Sequence, residues 1–399
     1  ENCLFGVDIQ PIAMQITKLR FFVSLLVEQK IDNEKENLGI IALPNLETKF
    51  VAANTLIGLP GKMKKGHSYT IKNPKIEELE IKLEKVRDEH FNARTPKTKK
   101  KKRDLDKEIR QKIADLLTYD GIPNETVQAI LNWNPYQTNT FSSWFDSEWM
   151  FGLKEGFDVV IGNPPYIDSE MMVNLGMAEL REELKKTYNS LKGNWDIYIA
   201  FFEFGFSVLN KNGVLSFITP DKWLNKSFGK ELRKNHYNKL TKIARTGRDV
   251  FQSVGVDSIV TIFKNIKSSE FRVLKNENTL SENTTIQKSI LEDPYQLDII
   301  FSDHLKFIMK ISNQFKNTIE SFGFVCENAC STSEAYELKK YLKNEFFNDF
   351  KYKVVNTGTV DKFKSKWGEK EMTYLSNKYL NPVVDKKIFK ENMSNTYFK

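Results

Sequence analysis

A short motif, Asn163-Pro164-Pro165-Tyr166, follows an apolar run with β-branched residues at 157–162. Such a run predicts a buried strand, and two consecutive prolines predict a rigid, non-helical exit from it. Ligands of open α/β sheets bind at the carboxyl ends of strands. An Asn oxygen and a Pro carbonyl could accept both hydrogens of a planar exocyclic amine, and a Tyr ring could stack on the ring that carries this amine. The motif therefore predicts a site for an aromatic amine.

Together with its strand, the motif at 158–167 resembles the catalytic segment of S-adenosylmethionine-dependent DNA amino-methyltransferases. It is most similar to the adenine-N6 branch, in particular to the methyltransferase part of type IIG restriction–modification enzymes. The resemblance implies methyl transfer to the N6 amine of a flipped adenine, with Asn163, Pro164, Pro165 and Tyr166 at the reacting base. Protein-glutamine and some RNA methyltransferases share the four residues, so those substrates remain alternatives.

An acidic residue ends another apolar segment near the start of the chain. Residues 3–8 predict a strand ending at Asp8, and Pro11 opens a predicted helix that extends to about Gln29. An acid in this place can hydrogen-bond a ribose diol, or it can simply cap the helix. The helix has one apolar face, which consists of Ile12, Ile16, Leu19, Phe22, Val23 and Leu26.

The resemblance assigns a cofactor to this region. In the family, the acid after this strand binds the ribose hydroxyls of S-adenosyl-L-methionine, which implies that role for Asp8. Its neighbour Ile9 is also expected to contact the cofactor. A strand is predicted at 38–45, and an Asp or Asn in the segment after it reaches the adenine amine of the cofactor. Asn54 is the candidate for this contact, and Asn163 would also face the cofactor.

Alternating strands and helices predict an α/β fold with a parallel sheet. After a strand at 213–220, the last two predicted strands are 239–246 and 256–263, which the resemblance makes an antiparallel hairpin. The loop between them contains Phe251. In the resembling enzymes this Phe packs on the flipped base opposite Tyr166, and the alternative is a core Phe at a strand turn.

A helical-hairpin insert is predicted at about 62–150, from two charged segments with apolar residues at helical spacing. Its basic run at 96–103 could bind phosphate, serve as a targeting signal or be a solvated helix end. The aromatic stretch at 133–157 is expected to pack the insert onto the sheet, with base stacking as the alternative.

The composition becomes polar from residue 268. We therefore predict a methyltransferase domain at 1–267, a linker at 268–286, and a truncated α+β target-recognition domain at 287–399. Lysines and aromatic residues interleave in this last region, which suits nucleic acid, and its segment 355–361 resembles a recurrent piece of type IIG target-recognition domains.

The composition of the whole chain indicates where it works. A net charge of +8 and a pI near 9.0 suit a polyanion, and the resemblance makes that partner double-stranded DNA. Three cysteines and no long apolar run indicate a cytoplasmic protein without a membrane span. No metal is implied. A DNA-specificity module with a degenerate, non-catalytic methyltransferase core is the alternative to an enzyme.

One family element is missing from the sequence. The Gly-rich turn that holds the methionine end of the cofactor should lie roughly 20 residues before Asp8. In the family, its strand lies between the one ending at Asp8 and the one leading to Asn163. We therefore expect a Rossmann-like methyltransferase sheet that is incomplete at its N-terminus, binds the cofactor poorly alone, and needs the missing N-terminal segment. Any nuclease domain would also lie upstream, and phage exclusion without a nuclease is the alternative to restriction.

Overall fold

A computed structural model describes residues 3–61, 73–137, 139–246, 257–275, 283–291, 296–314, 317, 319–323, 332–362 and 364–393. The chain divides into two compact units, Glu1–Phe307 and Ile308–Lys399. The helices are α1 (Pro11–Val27), α2 (Pro74–Phe91), α3 (Pro96–Tyr119), α4 (Asn124–Asn132), α5 (Ser147–Phe151), α6 (Ser169–Asn174), α7 (Ala178–Thr187), α8 (Tyr198–Ser207), α9 (Lys230–His236), α10 (Leu305–Gln314), α11 (Thr332–Tyr341) and α12 (Lys386–Met393).

The strands of the first unit are β1 (Gly6–Asp8), β2 (Phe50–Ala52), β3 (Phe157–Gly162), β4 (Leu209–Pro220), β5 (Leu240–Thr246), β6 (Ser258–Lys264), β7 (Glu270–Lys275) and β8 (Asn283–Gln287). Those of the second unit are β9 (Lys343–Asn344), β10 (Lys351–Lys353), β11 (Val360–Asp361), β12 (Lys364–Ser365), β13 (Met372–Tyr374), β14 (Asn377–Tyr379) and β15 (Pro382–Asp385).

The first unit has an α/β architecture, as predicted, with its strands divided between two sheets. β1 and β2 form a parallel pair, and the other sheet has the order β3-β4-β6-β5-β7-β8. β3 runs parallel to β4, whereas β6 is antiparallel to both β4 and β5. The antiparallel pairing of β5 with β6 confirms the expected hairpin.

Two predictions about strands are wrong. The segment at 38–45 forms no strand, because a turn with Asn37 and Leu38 at positive φ occupies its start; the second strand is β2 instead. The predicted linker at 268–286 contains β7 and β8, and β7 is hydrogen-bonded to β5 in parallel. The first unit therefore extends well beyond residue 267.

Among the described strands, β1 and β3 belong to separate sheets and are not hydrogen-bonded to each other. Within the described residues no strand pairs with the outer edge of β3. The start of β3 lies near the start of β1, with the rings of Phe5 and Phe157 6.1 Å apart. Further along β3, Val159 is 54% exposed and Ile161 is 79% exposed, which is unusual for the apolar residues of an α/β strand.

α1 is confirmed as a helix, but its apolar face is not buried. Met14 is buried with Leu46 and Phe50, and Phe21 and Phe22 pack against this cluster. The predicted face instead leaves a stripe of exposed residues, Ile12, Ile16, Leu19, Val23 and Leu26.

In the part of the chain that the structure describes, no helix is long and apolar enough to cross a membrane.

The described part of the helical insert runs from α2 to α5, and its centre is a buried ion cluster. The Asp106 carboxylate lies 3.0 Å from Arg87 Nε and 2.7 Å from Arg110 Nε. The Tyr136 hydroxyl donates to the same carboxylate over 3.3 Å. Arg87 also donates to the carbonyl of Trp149. The cluster therefore joins α2 and α3 to the aromatic segment that follows them.

Aromatic residues of the helical insert pack against β2, which confirms the packing interpretation of the aromatic stretch. Val51 and Ala53 share a buried cluster with Trp133, Trp144, Phe145, Trp149 and Phe151. The basic run forms the start of α3, where Lys102 and Arg103 are ion-paired with acidic side chains.

The second unit is α+β, as predicted. β9, β15 and β10 form an antiparallel sheet, and β11–β12 and β13–β14 are hairpins. Leu338, Val384 and Phe389 form the core. Lys353 Nζ lies 4.6 Å from the Phe347 ring centre and 4.7 Å from that of Trp367, so some of the interleaved basic and aromatic residues contact one another.

Candidate functional site

The motif loop, residues 163–168, leaves β3 at the carboxyl end of the strand. It begins after Gly162, where a Cβ atom would come within 2.8 Å of the Phe217 ring, so only glycine fits without displacing that ring. Asn163 and Pro165 are exposed, whereas Pro164 is buried. The Asn163 amide is therefore exposed, while the buried Pro164 next to it fixes the start of the motif loop.

The far end of the motif loop is held at two points. Asp168 caps α6 by accepting a hydrogen bond from the Met171 backbone N–H over 2.9 Å. The carbonyl of Ile167 accepts a hydrogen bond from the Ile197 N–H, also over 2.9 Å, just before α8 begins. Tyr166 therefore lies between a strand end and two backbone anchors.

Tyr166 is half-buried beside the first residue of β6. Burial raises the pKa of Tyr166, and a hydrogen bond with Ser258 partly opposes this effect. Ser258 pairs with Pro220 at the end of β4 and with Thr246 at the end of β5. The motif loop and the ends of β4 and β5 therefore meet at one edge of the sheet.

A buried carboxylate lies behind the motif loop. Asp196 is 5% exposed, and its carboxylate lies 4.0 Å from Lys222 Nζ. Burial raises the pKa of Asp196, whereas the nearby ammonium of Lys222 acts in the opposite direction. Next to Lys222, burial raises the pKa of Asp221, although the Arg245 guanidinium lies 3.0 Å from its carboxylate.

The residues predicted to hold the cofactor lie on the smaller sheet. Asp8 ends β1, and its backbone carbonyl accepts a hydrogen bond from the Ala53 N–H over 2.9 Å. Asp8 and Asn54 are thus brought to one edge, both half-buried, and Ile9 is exposed. Asp8 Oδ1 accepts from the Gln10 N–H over 2.8 Å, which is the capping role considered for it. Asn54 Oδ1 accepts from the Leu56 N–H over 3.2 Å.

Sequence reasoning had flagged only part of this site. Phe251 lies outside the described residues, so its predicted contact with a base remains a prediction. Ser258 and Lys222 were not singled out, although each lies where a strand begins or just after one ends, at the edge where ligands were expected. Among the described residues, no group of His, Cys, Asp and Glu is arranged to hold a metal ion.

The geometry suits recognition of a flat, amine-bearing ring. An exposed amide and the adjacent proline carbonyl offer acceptors with no N–H on Pro164 or Pro165 to compete for them. A half-buried aromatic ring three residues later offers a stacking surface. A carboxylate at the end of a neighbouring parallel pair offers acceptors for hydroxyl groups.

Comparison with known proteins agrees with this chemistry. The profile of a family described as Eco57I restriction-modification methylase matches residues 2–251. The type II restriction enzyme and methyltransferase RM.Eco57I of Escherichia coli is 28% identical over 211 residues, covering 49% of this chain and 20% of that protein. The type II methyltransferase M.PaeR7I of Pseudomonas aeruginosa is 37% identical over 81 residues, covering 20% of this chain and 13% of that protein. The chain therefore spans less than a quarter of the length of either relative.

Two solved structures show weaker similarity. The type IIL restriction-modification enzyme MmeI in complex with DNA is 14% identical, with a TM-score of 0.35, and the match covers 71% of this chain and 34% of that one. The type IIG restriction endonuclease BpuSI is 14% identical, with a TM-score of 0.30, and the match covers 62% of this chain and 34% of that one.

Proposed function

The chain belongs to the Eco57I restriction-modification methylase family, and on that basis we propose that the protein methylates adenine at N6 in double-stranded DNA at a specific site. The observation that carries this proposal is the exposed Asn163 amide, held between Gly162 and the buried Pro164 at the carboxyl end of β3. The target base would leave the helical stack to reach it, at a cost of about a few kcal/mol.

In this proposal the chain orients and activates the amine. Asn163 Oδ1 and the Pro164 carbonyl accept its two hydrogens, and Tyr166 stacks on one face of the ring. The two hydrogen bonds draw the nitrogen lone pair out of conjugation with the ring, so that the nitrogen becomes nucleophilic. Positioning and preorganised acceptors, rather than a covalent enzyme intermediate, would supply the rate. Phe251 is proposed for the opposite face of the base.

S-adenosyl-L-methionine is the proposed cofactor and would supply an electrophilic methyl group. The residues of β1 and β2 fit its nucleoside end. Asp8 Oδ1 is engaged by its own backbone turn, and within the described residues Oδ2 has no hydrogen bond, so it can accept from a ribose hydroxyl. Asn54 lies at the same edge for the adenine amine, Ile9 is exposed beside Asp8, and Asn163 would face the methyl donor.

We also infer that a further strand, supplied by another segment of a longer protein, completes the cofactor site between β1 and β3. The exposed Val159 and Ile161 support this inference, because both side chains lie on one face of β3, which a further parallel strand and its connecting helix would cover. The 399-residue chain alone should therefore bind the cofactor weakly, which isothermal titration calorimetry can measure. Tight binding by this chain would contradict the inference.

Double-stranded DNA is the proposed partner of the second unit. From Ile308 to Lys399 this unit has sixteen lysines against eleven acidic residues, which suits a phosphate backbone. Phe346 is 90% exposed and Phe350 is also exposed, so aromatic surface is available beside these charges. The low cysteine content suggests the cytoplasm. An enzyme of a restriction–modification system would meet its DNA substrate in that compartment.

The deciding experiment uses the full-length protein with labelled S-adenosylmethionine and duplex DNA, RNA or protein as separate substrates. We expect label in N6-methyladenine of duplex DNA, and a loss of about 100-fold or more in kcat for Asn163→Ala. Asn212→Ala is the matched control, since Asn212 is an exposed asparagine near the opposite end of β4. Unchanged methylation by Asn163→Ala would contradict the catalytic role of Asn163. Label in RNA or in glutamine would show that RNA or protein, and not DNA, is the substrate.

A further inference from the structure

The residue proposed to read the adenine of the cofactor opens a tight turn after β2. The Ile57 N–H donates to the Asn54 carbonyl over 3.3 Å, which closes the turn 54–57. The Asn54 side-chain oxygen accepts a second hydrogen bond, from the Leu56 N–H over 3.2 Å. Because only the oxygen of the amide can accept a hydrogen bond, this second bond fixes which way the amide faces. The turn therefore sets the orientation of the Asn54 amide.

The turn 54–57 is fastened to the rest of the first unit at three points. Its first residue donates its N–H to the Ser142 carbonyl over 2.9 Å, and the carbonyl of its last residue accepts from the Phe145 N–H over 2.8 Å. The third point is a side chain, since the Tyr188 hydroxyl donates to the Leu56 carbonyl over 2.9 Å. Among the described residues, Tyr188 is the only side chain that hydrogen-bonds this turn from outside it.

Tyr188 is itself held firmly in place. It follows α7, is 8% exposed, and belongs to the same buried cluster as Leu56. The two residues after it, Asn189 and Ser190, donate their N–H groups to the Glu203 carboxylate of α8 over 3.0 and 2.8 Å. The Tyr188 hydroxyl therefore reaches the turn 54–57 from a fixed position in the core.

We propose that Tyr188 is a positioning residue that acts through the Leu56 peptide to hold the Asn54 amide in the orientation required to read the adenine of the cofactor. The proposal deepens the proposed function and rests on it for the role of Asn54. Without the Tyr188 hydroxyl, the carbonyl of the buried Leu56 loses this partner, and an unpaired buried carbonyl is costly. The turn would then rotate to bring that carbonyl to water, and the Asn54 amide would move with it.

The orientation of the amide matters because two related purines carry opposite patterns on one ring edge. Adenine has an amine donor beside an unprotonated ring nitrogen, whereas hypoxanthine has a carbonyl acceptor beside a ring N–H. Within the described residues, the NH2 group of Asn54 has no hydrogen bond, and its oxygen keeps one lone pair beside the bond from Leu56. The fixed amide can therefore accept from the amine and donate to the ring nitrogen of adenine, whereas an amide free to turn over would accept either purine.

The test measures binding of S-adenosylhomocysteine and of S-inosylhomocysteine, in which hypoxanthine replaces adenine, to the full-length protein by isothermal titration calorimetry. Wild type should bind the adenine compound at least about tenfold more tightly than the hypoxanthine compound. Tyr188→Phe keeps the ring in the core and removes only the hydroxyl. It should bind the adenine compound about fivefold more weakly than wild type and reduce the ratio between the two compounds to below about threefold.

The matched control is Tyr237→Phe, which removes a buried hydroxyl that also donates to a backbone carbonyl, that of Lys288, over 3.4 Å. Both variants should lose some stability, but Tyr237→Phe should keep the wild-type ratio. A second readout needs no cofactor. Hydrogen–deuterium exchange of residues 53–57, followed by mass spectrometry, should be faster in Tyr188→Phe and unchanged in Tyr237→Phe.

A wild-type ratio between the two compounds in Tyr188→Phe would overturn the proposal, whatever the stability of that variant. Equal binding of both compounds by the wild-type protein would instead contradict the role of Asn54, and with it this proposal. Failure of DNA methylation has a different signature, because duplex DNA would remain unlabelled in the methylation assay. The binding comparison needs no DNA, so it decides the role of Tyr188 in that case as well.

Discussion

Two buried carboxylates in the first unit are paired in very different ways. Asp106, in the helical insert, is fully buried between Arg87 and Arg110 at 3.0 and 2.7 Å. Asp196, behind the motif loop, faces a half-exposed Lys222 at 4.0 Å. The first arrangement neutralises its charges at hydrogen-bonding distance, whereas the second leaves a charge that burial destabilises.

The difference separates a carboxylate that stabilises the helical insert from one whose charge has no close partner beside the motif loop. Asp106 satisfies two buried guanidinium groups, and those groups in turn bind backbone carbonyls of the aromatic segment. Removing the Asp106 carboxylate would leave the buried guanidinium charges of Arg87 and Arg110 without an anionic partner. Removing the Asp196 carboxylate leaves no buried cation unpaired, because Lys222 is half-exposed. The contribution of Asp196 to the free energy of unfolding should therefore be small or unfavourable. The same substitution, Asp to Asn, can therefore test both sites.

The largest effect is expected for Asp106→Asn. An amide offers one acceptor oxygen where two guanidinium groups need a carboxylate, so the variant should lose about 3–5 kcal/mol of unfolding free energy. Urea denaturation followed by circular dichroism measures this loss. Glu108→Gln is the control on the same helix, because it removes an exposed pair with Lys112, and it should leave stability unchanged. A stable Asp106→Asn protein would show that the ion cluster does not hold the insert together.

The smaller effect, with the opposite sign, is expected for Asp196→Asn. Since burial raises the folded-state pKa of Asp196 above its ordinary value of 3.8, the folded protein favours the protonated acid. This group's stabilising contribution is complete below pH 3.8 and is lost as pH rises through the folded-state pKa. The Asn variant resembles the neutral acid at every pH, so at neutral pH it should be at least as stable as wild type.

Denaturation of both proteins across pH 3 to 8 checks this sign. The stability advantage of Asp196→Asn should shrink on acidification and vanish below about pH 3.8, where wild-type Asp196 is itself neutral. A variant that is clearly less stable than wild type at pH 7 would mean that the Lys222 ion pair outweighs desolvation. Asp196 would then resemble Asp106, and the contrast between the two sites would be lost.

The predictions made from sequence succeeded where local signals coincide with tertiary structure. The end of β3 just before Asn163 and the end of β1 at Asp8 follow from apolar runs bounded by turn residues, whereas the antiparallel pairing of β5 with β6 was implied by the family resemblance. The last two strands of this sheet, β7 and the edge strand β8, were missed because their polar residues, such as Arg272 and Thr284, resemble a linker. Their place in the sheet depends on pairing partners that local composition does not encode.

The helix α1 illustrates the same limit from another direction. Its apolar spacing predicts a face but not what covers that face, and Ile12, Leu19 and Val23 are exposed.

In the candidate site, the predicted strand ends were enough to locate Asn163 and Asn54. Locating Lys222 and Ser258 required the register of β4 with β6. Side chains that converge from distant segments become visible only when that register is known.

The outer edge of β3, which no strand in the described part of the chain covers, also affects how the protein behaves in solution. An exposed strand edge that carries Val159 and Ile161 is a template on which another copy can add a strand. Concentrated samples should therefore tend to aggregate, and this tendency arises at the strand that ends just before Asn163. Chains that associate there would obstruct their own motif loop, so losses of solubility and of methylation should occur together.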